Sequence, residues 1–190
     1  MNMTEPIKDL KQLELLKSYL RGKDKRYYLL LMTGISSALR ISDILRLKVD
    51  HVWTGKKPKN YIRINEKKTG KFKQFPITPN LSKAIKEYMK EYPDRKAEHY
   101  LFFSRVGNNK PFTRQFASMM LNEAVDFCGL DVKCFATHGM RKTWAYHSYR
   151  QTGNLEMISL ALNHRSLAET RRYITLEQEE LDSFYLSVNI

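Results

Sequence analysis

Tyr173 stands in the run Arg171-Arg172-Tyr173-Ile174, a phenol among fixed positive charges. His164 lies nine positions before it, at the end of an apolar stretch. Further upstream, His138 and Arg141 sit three apart, while Arg40 and Lys68 lie in the N-terminal half. These side-chain types suit phosphoryl transfer. Breaking a phosphodiester without a metal needs a nucleophile, cations on the non-bridging oxygens and an acid for the leaving oxygen. A phenol, with a pKa near ~10, is neutral at physiological pH and gains nucleophilicity where cations favour its phenolate. Guanidinium forks clamp phosphate in bidentate fashion. An ammonium can protonate a departing 5′ oxygen.

Each of these residues also has an ordinary structural reading. His138 and Arg141 could be a helix-start histidine and a surface arginine on one helical face. Arg40 could pair with Asp43, and both readings can hold if Asp43 orients Arg40 as a supporting residue. Lys68 could be a solvated turn lysine, with Lys67 and Lys71 competing for any role. His164 could sit electrostatically at a helix C-terminus, and Tyr173 could be a core tyrosine.

The elements that must position these groups are legible as periodicity and caps. Residues 7–21 repeat leucines at helical spacing, with Thr4 as cap, Pro6 in the first turn and Gly22 as the stop. Asp24 caps a second helix to about Thr33, whose all-round apolar character marks it as central. Small residues from Gly34 to Ala38 form a break, and Ser42 caps a short helix over 43–47. Residues 60–65 and 71–77 alternate as strands around the turn 66–70, giving a β-hairpin with Lys68 at its tip. Helices are expected over 79–92, 114–128, from near His138 to Gly153, over 155–162 and over 167–173. The expected fold is mainly α with a small antiparallel β-sheet, an α+β domain.

The chain has 190 residues, enough for one domain with a full core. Its net charge of +13 points to nucleic acid as the first partner to consider. The longest apolar run, residues 29–35, is far short of a membrane span, and the N-terminus lacks a signal-peptide core, so a cytoplasmic protein is expected. Cys128 and Cys134 read as two buried thiols, with no zinc spacing around them. No Gly-rich phosphate loop is present.

The constellation resembles the tyrosine recombinase (phage integrase) family. The matching text is ALRISDILRL around Arg40, KKTG around Lys68, THGMRKTWA around His138 and Arg141, and LNHRSLAETRRYI around His164 and Tyr173. The resemblance covers about residues 10–175. It implies the tyrosine recombinase catalytic-domain fold, of the DNA breaking-rejoining enzyme type. It also implies site-specific DNA recombination: Tyr173 attacks the scissile phosphate, Arg40 and Arg141 clamp it, His138 and His164 handle protons, and Lys68 is the general acid. Neither metal, ATP nor any other cofactor is implied. Double-stranded DNA as the partner, a homotetramer on it, accessory DNA-bending proteins and a place at the nucleoid follow from the same resemblance. Rival readings are a non-catalytic DNA-binding regulator with this fold and a topoisomerase IB-like relaxing activity.

Three departures from the family pattern stand out. Asn163 replaces the glycine of the usual Leu-Gly-His, and Ser37-Ala38 replaces Thr-Gly before Leu39-Arg40. The catalytic domain is also expected to fill residues 1–190, without the core-binding and arm-binding domains many relatives carry. That layout matches either an excised fragment or a catalytic-domain-only recombinase such as the fimbrial phase-variation invertases. The last residues, 176–190, are expected to form an amphipathic tail helix.

Overall fold

A computed structural model describes residues 4–132, 134–174, 182 and 185–188. The expected tail helix falls largely outside these residues. The first helix, α1 (Leu10–Lys23), starts later than its leucine repeat suggests. Asp9 caps it, accepting from the backbone N–H groups of Lys11 and Gln12. Gly22 does not end the helix but lies inside its last turn. Asp24 does so, with extended backbone, and its carboxylate then caps α2 (Lys25–Ser37) by accepting from Arg26 N–H.

Helix α2 is the centre of the domain, packed by α1, α5 and α7. Leu29, Leu30, Leu31 and Met32 are all buried, as a helix apolar on every side requires. It runs on through Gly34, where a break was expected. A Cβ there would meet Met140 Sδ at 2.5 Å, so the glycine serves close packing against α7 (Ala136–Thr152). The chain breaks only at Ala38, in left-handed conformation (φ 53°). Helix α3 (Ile41–Ile44) follows without a side-chain cap, so Ser42 does not take that role. Helix α4 (Val49–Val52) leads into the hairpin.

Strands β1 (Tyr61–Asn65) and β2 (Phe72–Pro76) pair antiparallel, with Ile62 opposite Phe75 and Ile64 opposite Lys73. Their alternation holds: Ile62 and Phe75 are buried while Tyr61 and Phe72 face out. Helix α5 (Pro79–Glu91) has Thr78 as cap and a proline in its first turn. Helix α6 (Arg114–Phe127) is capped by Thr113. Helices α8 (Leu155–Leu162) and α9 (Leu167–Ile174) complete the described elements.

Two cores result. The larger gathers α1 to α6 and the hairpin. The smaller, Ala38, Ala145, Tyr146, Ile158, Leu162 and Ile174, joins α7, α8 and α9. Cys128 and Cys134 are free thiols, half-buried instead of fully so. Among the described residues no helix is long and apolar enough to cross a membrane.

Candidate active site

The left-handed turn at Ala38 throws Arg40 out of α2 into extended backbone ahead of α3. Its Nη1 lies 3.0 Å from Glu66 Oε2, although it is not aimed along a hydrogen bond. Glu66, buried just past β1, also accepts from Thr69 Oγ1 at 2.8 Å and Asn163 Nδ2 at 3.2 Å. Burial pushes its carboxyl up in pKa, but the Thr69 hydroxyl, the Arg40 charge and the Asn163 amide outweigh that and hold it below the usual range.

Asp43 was expected to orient Arg40 and does something else. Its Oδ1 accepts from Lys67 N–H at 2.8 Å, tying α3 to the hairpin turn. The carboxylate that reaches Arg40 is Glu66, from the start of the hairpin turn, while Asp43 Oδ1 accepts from backbone and its Oδ2 has no hydrogen-bond partner among the described residues.

Arg141 projects from α7 and is buried. Its two terminal nitrogens donate to the carbonyls of Ala38 and Leu162, so one guanidinium pins the end of α2 and the end of α8 to α7. Burial and the neighbouring Arg40 lower its pKa, against the opposing pull of Tyr173 and Glu66. Tyr173, on α9, turns its hydroxyl toward this group. That hydroxyl is buried beside the Arg141 guanidinium, near enough for its charge to act but without a well-aligned hydrogen bond among the described residues. Burial raises its pKa, while Arg141 and Arg40 act to lower it.

His164 follows the left-handed Asn163 (φ 53°) that ends α8. Its ring stands edge-on to Tyr173 with centroids 5.0 Å apart, and its Nδ1 lies 3.0 Å from Thr170 Oγ1. His138 sits in the first turn of α7, with Nε2 3.5 Å from Arg114 Nη2. Partial burial lowers the pKa of both rings. Arg114, Arg141, Lys142 and Arg40 add to this at His138, and Arg141 and Arg40 at His164. Lys142 Nζ lies 5.5 Å from the Tyr173 ring centroid.

Arg40, His138, Arg141, His164 and Tyr173 therefore share one cluster. Lys68 does not join it. It is exposed at the hairpin tip, and its charge is felt by Glu169 at the start of α9. The hairpin sends a different lysine inward. Lys73 Nζ donates to the Ala161 carbonyl at 2.7 Å. Burial first, then Arg141 and Arg40, push its pKa down to about 8, with Glu66 and Asp43 opposing. Strand parity carries the signal for both newly found residues. Lys73 shares a face with buried Phe75, and Glu66 continues the inward face of Ile62 and Ile64.

Cations crowd this cleft; among the described residues Glu66 and Asp43 face Lys73, Glu169 faces His164 and Glu5 faces Lys142. The Arg40 and Arg141 guanidinium groups beside a buried phenol suit an anion brought from outside. Among the described residues no group of three or more His, Cys, Asp or Glu side chains is placed to hold a metal.

A helical domain with a two-stranded sheet and this arginine–histidine–tyrosine cleft has the tyrosine recombinase catalytic fold. The chain belongs to the phage integrase family, whose model matches residues 9–180. It is 39% identical over 185 residues to "Probable integrase/recombinase YoeC" of Bacillus subtilis, covering 97% of each chain. It is 28% identical to "Tyrosine recombinase XerA" of Pyrococcus furiosus over 84% of this chain but 54% of that one. The chain thus spans nearly all of the first relative and about half of the second. Among solved structures, a XerA recombinase superposes over the whole chain, with TM-score 0.78 at 20% identity, and 65% of that chain is covered. A XerH recombinase in a post-cleavage complex with difH DNA gives 0.73 at 18% identity, over 97% of this chain and 53% of that one.

Proposed function

We propose that this protein is a site-specific DNA recombinase of the integrase or invertase type, working through a 3′-phosphotyrosyl intermediate. The observation that carries the proposal is the buried Tyr173 hydroxyl set against Arg141 and Arg40. A scissile phosphate entering the cleft supplies the missing anion. Tyr173 Oη attacks phosphorus, the bond to the 5′ oxygen breaks, and Lys68 protonates that oxygen once the hairpin tip closes over DNA. The phenolic proton passes to His164, whose ring stands edge-on to Tyr173 and whose pKa burial lowers. Arg40, Arg141 and His138 bear on the non-bridging oxygens. The covalent bond conserves the energy that a second strand's 5′ hydroxyl needs for resealing, so no nucleotide is consumed. Residues 1–190 act as a single catalytic domain. The acting assembly is a homotetramer on duplex DNA.

The test uses a duplex selected by the protein from a randomised pool, prepared with nicks at successive positions so that a released fragment cannot religate. The wild type forms a covalent adduct on one of these, and Tyr173→Phe forms none. Binding without an adduct would point to a DNA-binding regulator. Relaxation of supercoiled plasmid at no specific sequence would point to a topoisomerase-like activity.

A further inference from the structure

The hairpin lysine that enters the cleft is not the one at its tip. Lys73 lies on the face of β2 that carries buried Phe75, opposite Ile64, where an apolar side chain would meet no charge penalty. Instead an ammonium is held beside Arg141 and Arg40, with Glu66 and Asp43 facing it. Its one hydrogen bond goes to the Ala161 carbonyl, in the last turn of α8. Arg141 takes the next carbonyl, Leu162. A helix C-terminus leaves carbonyls unpaired and favours cations there, so both contacts fit the electrostatics of that end. The following residue, Asn163, reaches Glu66 with its amide. The hairpin thus holds the end of α8 at two points, Lys73 and Glu66, and α7 holds it at a third. The next residue in the chain is His164, stacked edge-on against Tyr173.

We propose that Lys73 is a positioning residue: it straps the hairpin that carries Lys68 to the turn that presents His164 and, through it, Tyr173. The strap couples the proton donor's element to the nucleophile's element, so the two halves of the cleft move together. The inference rests on the recombinase reading above. It adds a lysine whose work is done through Ala161 and not on the DNA.

The experiment measures adduct formation on the nicked duplex in single turnover, with DNA affinity and melting temperature measured alongside. Lys73→Met is expected to cut the cleavage rate about 100-fold, the scale of an ångström's misplacement, with affinity and melting temperature retained. Lys73→Arg, which can still reach a carbonyl, restores most of the rate. A second substrate carries sulfur in place of the bridging 5′ oxygen. A thiolate leaves without a proton, so this substrate rescues Lys68→Met but not Lys73→Met. The wild-type rate falls as pH rises through about 8, where Lys73 gives up its proton, and the Lys73→Arg rate does not. A wild-type rate in Lys73→Met overturns the proposal. So does full rescue of that variant by sulfur, which would make Lys73 a proton donor. Parallel loss of rate, affinity and melting temperature in both variants would make its role merely structural. Absence of any adduct in the wild type would instead refute the recombinase reading itself.

Discussion

Two arginines are buried among the described residues, and they are held in opposite ways. Arg26, 1% exposed, meets Asp24 through Nη2 at 2.6 Å and Nε at 3.1 Å, and gives Nη1 to the Phe103 carbonyl at 2.7 Å. Its guanidinium lies 4.7 Å from the Phe103 ring centroid. Burial lowers its pKa, but the Asp24 contacts outweigh this and raise it. Arg141, 4% exposed, has backbone carbonyls as its hydrogen-bond partners and Arg40 as a neighbour, and its pKa is lowered. A buried cation with its own carboxylate is complete. One held by neutral carbonyls among other cations is incomplete until an anion arrives. Burial alone does not separate structural from functional arginines; the partner's charge does.

The largest expected effect comes from breaking the incomplete one. Arg141→Met should lower the rate of adduct formation by at least about a thousandfold, since it removes a donor poised for transition-state charge. The change strands two backbone carbonyls but no carboxylate, so the melting temperature should fall less than it does for Arg26→Met. That second substitution takes away Asp24's buried charge partner and leaves it the exposed Arg105 at 3.4 Å and the Tyr92 hydroxyl at 3.1 Å. It should cost about 3–5 kcal/mol, or roughly 6–20 °C in melting temperature. If the two variants exchanged these profiles, the distinction drawn from partner charge would be wrong.

Acid sharpens the same contrast. Asp24 and Glu66 both have pKa values held below the usual range in the folded state. Burial pushes each up, but Arg26 hydrogen bonds at Asp24, and Thr69 and Arg40 at Glu66, outweigh it. A depressed carboxylate stabilises the fold above its unfolded pKa, and that stability is lost as pH falls through the folded value. Denaturant midpoints measured downward from about pH 5 should therefore fall less steeply in Glu66→Gln than in the wild type. The same variant frees Arg40, so its cleavage rate at pH 7 should drop by about tenfold. An unchanged acid limb would show that Glu66 is not the anchor of Arg40.

Leucine spacing in α1, the apolar run of α2 and the strand alternation are local patterns and mark the elements, whereas the single-residue signals at Thr4, Gly22 and Ser42 do not set the helix ends. The caps at Asp24, Thr113 and Asn154 are also local. Gly34 was misread as a break because its reason, Met140 on another helix, is not local. The cleft follows the same rule. Arg40, His138, Arg141, His164 and Tyr173 were visible as residue types in order, and the structure gathers them. Which carboxylate serves Arg40, and which hairpin lysine points inward, depend on tertiary facing. Strand parity would have flagged Glu66 and Lys73, had it been applied to charged residues as well as apolar ones.

The smallest effect concerns Ala38, where relatives are expected to carry glycine. Its φ of 53° is costly for a residue with a Cβ, about 1–2 kcal/mol. Ala38→Gly relieves that cost. It also removes a fully buried methyl from the smaller core, worth about 0.8 kcal/mol, and enlarges the unfolded ensemble by about 0.4–1 kcal/mol. These terms nearly cancel, so the melting temperature should shift by less than about 4 °C. The carbonyl that Arg141 uses belongs to the backbone and survives the substitution. The cleavage rate should then be unchanged. A rate loss with the melting temperature preserved would mean that stiffness at Ala38, and not its carbonyl alone, holds Arg141 ready for the phosphate.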